Sequence, residues 1–202
     1  EVRMAVKTSA DTKGATIRRA TTLDDLRAAY RVTHDTFVAQ GFIRPDPTGI
    51  RLRPCEALPE TATFIAELDG RIVAVTTGVV DSEWIGVPSD KAFAPEIDGL
   101  RRRGRLVGEG TNWLALPEAR NSGILGELIR ASTAYGIVRG CDDVLGSVSP
   151  GHAGFYESIG WEVLGAERSY SDEVEDPVVL VRMDTNLARS LRGEARDFLM
   201  SY

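Results

Sequence analysis

The stretch RNSGILG, residues 120–126, stands between a strand-like run, TNWLAL at residues 111–116, and a run with helical periodicity, ELIRASTAYGIV at residues 127–138. A helix that begins here exposes unpaired backbone N–H groups and the positive end of its dipole. Glycines let a ligand come close to that backbone, and Arg120 adds a positive charge. The stretch therefore predicts a phosphate-binding turn, with a purely structural strand-to-helix turn as the alternative.

Two common nucleotide-binding motifs do not occur in the sequence. It contains neither the GxxxxGK[ST] pattern of P-loops nor the GxGxxG pattern of dinucleotide-binding folds. We therefore do not assign the expected phosphate to a nucleoside triphosphate or to a dinucleotide.

Length and composition are those of an ordinary globular chain, with 202 residues, 43% hydrophobic and 27% charged, so we expect one domain. The net charge of −6 argues against a nucleic-acid-binding protein, which needs a basic surface. No apolar run approaches the roughly 20 residues of a membrane span, and we recognise no signal peptide. We therefore expect a soluble, cytoplasmic protein without a transmembrane segment. Cys55 and Cys141 have no companion ligands at metal-site spacing, which predicts neither a disulfide nor a metal site.

The first third of the chain contains a tail, a helix and a long connection. Residues 1–15 are polar and without periodicity, which predicts a flexible N-terminal tail. A first amphipathic helix is expected from Thr22, with Asp25 completing a capping box and Gly41 as a stop signal. Residues 42–60 hold four prolines and three arginines and predict an irregular connection of a length that is often functional.

The clearest β-hairpin is TFIAELDGRIVAVTTGVV, residues 63–80, which turns at an Asp-Gly dipeptide. A short helical stretch near residues 95–103 leads into a fourth strand, GRLVGEGTNWLAL at residues 104–116. Gly108 and Gly110 lie inside this strand, which suggests either a bulge or the close approach of another group to the backbone.

The remaining elements follow in an alternating order. We expect a helix at residues 122–139 with Val138 among its inward side chains, a strand at 142–148, a short helix within 150–160, and two closing strands at 161–170 and 176–184. This order predicts an α/β or α+β fold, a mixed and mostly antiparallel sheet of about seven strands flanked by helices. Residues 16–184 would form the domain, and an amphipathic segment, residues 185–202, would dock on it.

Several of these phrases together resemble the Gcn5-related N-acetyltransferase superfamily. They are the strand with interior glycines, the R-x-x-G turn at Arg120 and Gly123, and HAGFYESIGWEVLG at residues 152–165. The resemblance implies a fold in which the fourth and fifth strands splay and the turn holds the pyrophosphate of coenzyme A. The superfamily turn is commonly [QR]-x-x-G-x-[GA]. Here Leu125 occupies the second small position and Gly126 follows it, which weakens the expected pyrophosphate contact.

Within that superfamily, the stretch from about residue 17 to residue 184 looks most like the N-acyl amino acid synthases, relatives of the autoinducer (acyl-homoserine lactone) synthases. The similar phrases are RVTHDTFVAQGF at residues 31–42, the proline-rich connection, the hairpin, and SPGHAGFYESIGWEVLG at residues 149–165. The resemblance implies a long acyl chain on acyl carrier protein, or on coenzyme A, as donor and the amine of an amino acid as acceptor. Carrier protein presents only acyl-phosphopantetheine, which suits an imperfect pyrophosphate turn.

The residues expected to hold the donor follow from the same resemblance. They are Trp113, Leu114, Ala115 and Leu116, whose backbone N–H groups would face the thioester arm, and Arg120, Asn121, Ser122, Gly123, Ile124, Leu125 and Gly126 at the phosphate turn.

Acyl transfer to an amine requires a group that accepts a proton and a group that protonates the departing sulfur. Glu109, on the fourth strand, is the candidate base, with an ordinary strand carboxylate or a structural ion pair as the alternative. By resemblance, Tyr156 is the candidate acid, and a packed aromatic is its alternative. Neither cysteine lies near a histidine in sequence, and the surroundings of Ser149 do not match GxSxG, so we favour direct transfer.

Five further residues are candidates for the acceptor or the acyl chain. They are His34, Phe37, Phe42, Trp84 and His152. The aromatic side chains would line an acyl tunnel or simply belong to the core, and the histidines would assist proton transfer or have local structural roles.

One dense cationic run, RRRGR at residues 101–105, stands out in an acidic chain. Arg101, Arg102, Arg103 and Arg105 form a candidate docking patch for the acidic acyl carrier protein, and a solvated helix end is the alternative.

Three functions are therefore open. The first is an N-acyltransferase that acylates an amino acid, with a lipid product that would bring the enzyme near a membrane surface. The second is an acetyl-CoA-dependent transferase that acts on a small amine. The third is a non-catalytic module that binds acyl thioesters.

Overall fold

The computed structural model describes residue 12 and residues 14–120, 122–158, 160–171 and 174–190. These residues form a seven-stranded sheet in the order β1-β2-β3-β4-β5-β7-β6. The strands are β1 (Thr16–Arg19), β2 (Ala62–Leu68), β3 (Arg71–Val80), β4 (Val107–Ala115), β5 (Asp143–Val148), β6 (Glu162–Ser171) and β7 (Val174–Asp184). The helices are α1 (Leu23–Ala39), α2 (Asp90–Arg102), α3 (Ile124–Val138), α4 (Ala153–Ser158) and α5 (Thr185–Ser190).

The sheet is mixed, as the order of elements predicts. Strands β1 to β4 are antiparallel neighbours, as are β5 with β7 and β7 with β6. The pair β4 and β5 is parallel, which confirms the expectation of a mostly antiparallel mixed sheet.

The strands β4 and β5 part after a short stretch of pairing. Their register covers only residues 107–109 of β4 against residues 143–145 of β5. Strand β4 nevertheless continues to Ala115 and β5 to Val148. The splay implied by the resemblance is therefore present, and it begins immediately after Glu109.

Helices cover both faces of the sheet. Helix α1 packs against Val75 and Leu114, and α2 packs against Val107 and Leu145, so these two helices share one face. Helices α3 and α4 lie on the other face, where their side chains form clusters with residues of β2, β3, β5 and β7. We call these the α1/α2 face and the α3/α4 face.

Local sequence signals explain where the elements begin and turn. Thr22 and Asp25 form the expected capping box at the start of α1. Asp69 and Gly70 have φ of 51° and 73°, the left-handed conformation that a tight primed hairpin turn requires.

Two details of the helices differ from the sequence-based expectations. Helix α2 begins at Asp90 rather than near residue 95, and Pro95 lies inside it, two residues after a non-helical Phe93. Proline is tolerated there because the first turn after an interruption has no intrahelical acceptor for its missing N–H. Val138 is 71% exposed and does not face the core, so the prediction for this residue was wrong.

The chain ends lie largely beyond the described residues. Strand β1 begins at Thr16, directly after the expected tail, whose residues 1–11 and 13 are outside the described part. Helix α5 accounts for residues 185–190 of the expected docking segment. Among the helices that the structure describes, none combines the length and the apolar character needed to cross a membrane.

Candidate active site

Glu109 is the charged group nearest to the point where β4 and β5 part. Its side chain is 2% exposed and lies on the α1/α2 face, where the backbone N–H of Ser89 donates to Oε2 at 2.8 Å and the Ser89 hydroxyl to Oε1 at 2.7 Å. Burial raises the pKa of Glu109 to about 7, although the bonds from Ser89 and the charge of Arg53 oppose the shift. A carboxyl group with this pKa changes its protonation state near neutral pH, which suits a general base.

A chain of hydroxyl groups connects Glu109 with the splay. The Ser89 and Ser147 hydroxyl oxygens are 2.6 Å apart, and Ser147 lies on β5 beyond its last residue paired with β4. When Glu109 is ionised, the only hydroxyl hydrogen of Ser89 points at the carboxylate, so Ser147 must donate to Ser89. Ser147 is half-buried, whereas Ser89 is fully buried, so the chain leads outward from Glu109.

A β-bulge in β4 adds two side chains to the same face. Thr77 pairs with Thr111 and Val75 with Leu114, so two residues of β4 lie opposite Thr76. The extra residue is Asn112, which has a φ of +54° and is 4% exposed. As a result Thr111 and Asn112, although consecutive, both face the α1/α2 side.

An arginine from the connection after α1 binds both bulge residues. Nη2 of Arg53 donates to Thr111 Oγ1 at 3.2 Å and to Asn112 Oδ1 at 3.4 Å. The same guanidinium forms a 2.5 Å ion pair with Glu56, whose side chain is 0% exposed. The Asn112 amide donates to Glu56 Oε1 at 3.0 Å, which satisfies the buried carboxylate further. The connection is therefore fixed to β4 by buried polar contacts rather than lying loose.

A second arginine of this connection has far fewer partners. Nε of Arg51 donates to Asn112 Oδ1 at 3.4 Å, and its guanidinium carbon lies 5.2 Å from the centroid of the Phe37 ring. Burial and the nearby charge of Arg53 lower the pKa of Arg51. Tyr170 of β6 interacts electrostatically with Glu109, Arg51 and Arg53, which brings its hydroxyl into the same polar cluster. Burial and the charge of Glu109 raise the pKa of Tyr170.

Trp113 covers the opposite side of the opening. A Cβ atom on Gly110 would lie 2.6 Å from the Trp113 ring, and one on Gly146 only 2.3 Å from it. The indole therefore bridges β4 and β5 on the α3/α4 face, and both glycines are required for this close approach. Its Nε1 is the one buried side-chain nitrogen or oxygen among the described residues that has no hydrogen-bond partner.

Tyr156 stacks on this indole, with ring centroids 5.3 Å apart and an interplanar angle of 15°. The residue is 6% exposed and also packs edge-on against Trp161. Its hydroxyl has no hydrogen bond to any residue in the described ranges, and burial raises its pKa. The predicted acid therefore stands at the opening on the α3/α4 face, opposite the predicted base.

The phosphate turn has the geometry of an open helix start. Gly123 is the N-cap of α3 with a φ of +76° and has no side chain to cap the helix, whereas the N–H of Ile124 donates to Ser122 Oγ at 3.4 Å. Arg120 is exposed and its Nε contacts Ala115 O at 3.5 Å, so it has no carboxylate partner among the described residues. Leu125 is directed into the core cluster with α4, whereas a Cβ on Gly126 would meet nothing within 4 Å.

The other residues predicted to hold the acyl donor make backbone hydrogen bonds or are buried in the core. Leu114 and Ala115 pair with β3, and the N–H of Leu116 donates to Val73 O at 2.8 Å, so this N–H already has a partner. Ser122 donates its hydroxyl to Ala119 O at 2.5 Å, and Ile124 is fully buried. Asn121 lies outside the described residues.

The candidates for the acceptor and the acyl chain separate into two groups. Phe37 and Phe42 pack edge-on at 5.8 Å and are half-buried beside Arg51. His34 is engaged locally, because its Nε2 accepts the Asp46 N–H at 3.0 Å and its Nδ1 lies 2.8 Å from Asp35. Trp84 is 86% exposed and His152 is exposed, so neither belongs to the buried cluster around Glu109.

Two of the four arginines in the run at residues 101–105 form ion pairs within the protein. Arg101 binds Asp81, Asp90 and Asp98, and Arg105 binds Asp143 and Asp184. Arg102 and Arg103 are exposed and form no ion pair with a described residue. The run precedes β4, whereas α3 follows it, so the nine-residue strand separates the run from the phosphate turn.

A cavity of about 470 Å³ lies elsewhere, between α1 and the hairpin of β2 and β3. Its lining includes Leu116 and Asp25 but none of the polar groups around Glu109. Asp25 caps α1 and binds Arg18 at 2.8 Å, which is a structural role.

Sequence reasoning missed much of the polar cluster. The residues not anticipated are Arg51, Arg53, Glu56, Ser89, Asn112, Ser147 and Tyr170. The arginines inside the long connection of residues 42–60 were the available signal, because connections of this length are often functional.

Comparisons with known proteins agree with this geometry. The family model described as "FeeM: N-acyl amino acid synthase FeeM" matches residues 28–184. The structure of FeeM, an N-acyl amino acid synthase from uncultured soil microbes, is similar with a TM-score of 0.74 and 20% identity, over 85% of this chain and 90% of that chain. The structure of the CoA-dependent acyl-homoserine lactone synthase BjaI with SAM and isopentyl-CoA is similar with a TM-score of 0.61 and 16% identity, over 93% of this chain and 89% of that chain.

An acyl-CoA N-acyltransferase from Pseudomonas aeruginosa is similar as well, with a TM-score of 0.56 and 16% identity over 83% of this chain and 97% of that one. Identities this low carry information on the fold alone, and they confirm the GNAT-like architecture. A search of curated proteins gives no match to the sequence.

Proposed function

Because the chain belongs to the FeeM family of N-acyl amino acid synthases and is thus a GNAT-type N-acyltransferase, we propose its reaction in full. It transfers a long-chain fatty acyl group from a thioester of acyl carrier protein, or of coenzyme A, to the amine of an amino acid. The products are an N-acyl amino acid and the free thiol of the donor, and the expected location is the cytoplasm.

The observation that carries the proposal is the end of β4–β5 pairing directly after Glu109. A thioester lying in this opening would have the buried carboxylate and the Ser147 hydroxyl on its α1/α2 side. It would have Tyr156 and the Trp113 indole on its α3/α4 side. A base and an acid on opposite sides of one cleft are what an amine and a departing thiolate require.

The chemical step balances without a covalent enzyme intermediate. The free amine attacks the thioester carbonyl carbon, the C–N bond forms, and the C–S bond breaks. The amine proton passes to Glu109, and the thiolate takes a proton from the Tyr156 hydroxyl; release of the proton from Glu109 to water and uptake of one by the Tyr156 phenolate then restore both groups. Because Glu109 is 2% exposed and both its oxygens accept hydrogen bonds from Ser89, we propose that the proton travels through the Ser147 and Ser89 hydroxyls.

The start of α3 supports a site for the donor phosphate. The N–H groups of Leu125 and Gly126, which have no partner among the described residues, together with the nearby Arg120 favour an anion there. Phosphopantetheine and coenzyme A both carry a phosphate at the end of the pantetheine arm, so this turn would serve either donor. Because the Leu125 side chain packs into the core cluster and nothing lies within 4 Å of a Cβ on Gly126, the turn itself favours neither donor.

Expression of the chain in a bacterial host tests the proposal. Lipid extracts analysed by mass spectrometry should contain long-chain N-acyl amino acids with the wild type, and none above background with Glu109→Gln. Acetylation of a small amine by the purified protein, with no new lipid, would replace the proposal by the acetyl-CoA function. Binding of acyl thioesters without consumption would replace it by the non-catalytic one.

A further inference from the structure

We infer that Arg51 binds the carboxylate of the acceptor and thereby selects amino acids over amines that lack a carboxylate. The inference rests on the proposed function and specifies how the acceptor is recognised. It assigns to residues 42–60 a role in acceptor recognition.

The first observation is the unused hydrogen-bonding capacity of Arg51. A guanidinium has five N–H donors, and the one hydrogen bond that the Arg51 guanidinium donates to a described residue goes from Nε to Asn112 Oδ1 at 3.4 Å. No carboxylate of the described residues lies within 4 Å of it. The paired Nη groups, which suit bidentate binding of a carboxylate, are thus available.

The second observation is that Arg51 is held in position while it remains unpaired. Its guanidinium lies over the Phe37 ring, its backbone N–H donates to Tyr30 O at 3.1 Å, and Asn112 fixes its Nε. The left-handed φ of Asn112 is costly for a residue other than glycine, and it persists because four polar partners hold the side chain. Such a fixed and unpaired arginine is pre-organised for a ligand.

The contrast with Arg53 identifies which charge is in excess. Arg53 is neutralised by the fully buried Glu56, whereas Arg51 lacks a counterpart among the described side chains and its pKa is lowered by burial. The cluster of Arg51, Arg53, Glu56 and Glu109 carries one net positive charge when Glu109 is protonated and none when it is ionised. In neither state does a carboxylate of the described residues pair with Arg51 itself, and a bound carboxylate would provide that partner.

The third observation is the distance to the base. Thr111, which contacts Arg53, is two residues from Glu109 on the same face of β4, a spacing of about 7 Å. Arg51 shares Asn112 with Arg53, and Tyr170 interacts with both arginines and with Glu109. We therefore place the carboxylate of the acceptor at Arg51 and its amine toward the Ser147–Ser89–Glu109 chain.

The experiment first identifies the acceptor and then removes its charge. The twenty L-amino acids are tested singly with a dodecanoyl thioester, and each one that is acylated is compared with its methyl ester and its carboxamide. Wild-type enzyme should prefer the free acid by about ten- to hundredfold in kcat/KM, the range for hydrogen bonds to a charged group. In Arg51→Gln the preference should disappear, through a higher KM for the free acid, whereas the values for the amide should change less than threefold.

Three controls separate recognition from folding and from donor binding. Arg44→Gln removes an exposed arginine of the same connection and should leave the preference intact. Arg51→Lys keeps the positive charge but lacks the bidentate guanidinium, so it should retain part of the preference for the free acid. The KM for the thioester should be unchanged in Arg51→Gln, whereas a rise in that KM alone would mean that Arg51 contacts the donor phosphate.

Different experimental results would contradict the role of Arg51 and the proposed function. If no amine is acylated by the wild type, the proposed function is wrong. If amino acids are acylated but esters and amides react equally well, or if Arg51→Gln keeps the wild-type preference with native thermal unfolding, the role of Arg51 is overturned.

Discussion

Ser89 and Glu109, 20 residues apart in the chain, make two hydrogen bonds to each other, one from the serine backbone N–H at 2.8 Å and one from its hydroxyl at 2.7 Å. The pair joins the start of α2 to the middle of β4. It gives a buried carboxylate enough donors to be ionised, while burial keeps its pKa at about 7. The protonation state of Glu109 is therefore balanced near neutral pH.

The pH dependence of the reaction should report this balance. Glu109 acts as a base only when it is ionised, so its contribution to kcat/KM should fall about tenfold per pH unit below pH 7 and be constant above it. Deprotonation of the acceptor amine to its neutral form adds a second rise in kcat/KM at higher pH in every variant. Glu109→Gln should lose the bend near pH 7 and lower kcat by roughly 10²- to 10⁴-fold. A bend that persists in this variant would assign it to another group.

The hydroxyl chain predicts a separate effect of Ser147. Ser147→Ala removes the outer hydroxyl, so proton transfer to Glu109 should slow and kcat should fall about tenfold, with an unchanged KM for the acceptor. Ser147→Thr keeps a hydroxyl and should recover most of the rate. Ser149→Ala, at an exposed serine two residues later, is the matched control and should behave as wild type. Equal rates for all three variants would remove the chain from the mechanism.

Tyr156→Phe should separate catalysis from stability. Because the hydroxyl has no hydrogen-bond partner among the described residues, its loss should change the free energy of unfolding by less than about 0.5 kcal/mol. The rate should nevertheless fall ten- to hundredfold if this hydroxyl protonates the thiolate. Tyr135→Phe is the control, with the reverse pattern of effects on stability and activity. It removes a 2.6 Å bond to Glu60 O and should lower stability by about 1 kcal/mol without loss of activity.

Gly146→Ala should displace the indole that closes the α3/α4 side of the opening. The new Cβ would lie 2.3 Å from Trp113, so the ring must move and its stack on Tyr156 is lost. We expect a destabilisation of about 1–3 kcal/mol and a shifted tryptophan emission spectrum. Gly154→Ala introduces a Cβ that meets nothing within 4 Å and serves as the neutral control. Unchanged emission in Gly146→Ala would contradict the close packing.

The carrier-docking prediction now rests on Arg102 and Arg103. Replacing both by serine should raise the KM for an acyl carrier protein thioester several-fold at low salt and leave the KM for acyl-CoA unchanged. Selectivity is expected because acyl-CoA has no acidic protein surface that could contact these arginines. Arg120→Ser should instead raise the KM for both donors. Equal effects of the double variant on both donors, or none, would end the docking prediction.

Local signals predicted most of the fold. The capping box at Thr22, the Asp-Gly hairpin and the alternation of elements depend on neighbouring residues, and each is present in the structure. Periodicity alone places Val138 in the core, but in the last turn of α3 the neighbouring Ile137 is the buried residue and Val138 faces solvent.

The polar cluster could be predicted only in part, because long-range contacts assemble it. Glu109 stood out by its position between glycines, whereas Arg53 and Ser89 reach β4 from 58 and 20 residues away. The glycines themselves had a second explanation. Gly108 and Gly110 accommodate the Cys141 sulfur and the Trp113 ring, and the bulge lies further along at Asn112.

The bulge at Asn112 joins two parts of the protein that carry different groups. The sheet carries the proposed proton-transfer groups and the opening between β4 and β5, whereas residues 42–60 bring their arginines to β4 through hydrogen bonds to Thr111 and Asn112. If this connection selects the acceptor as proposed, exchanging it should change the amine that is acylated and leave the groups on the sheet in place. Grafting the segment between family members would be a direct route to new acylated products.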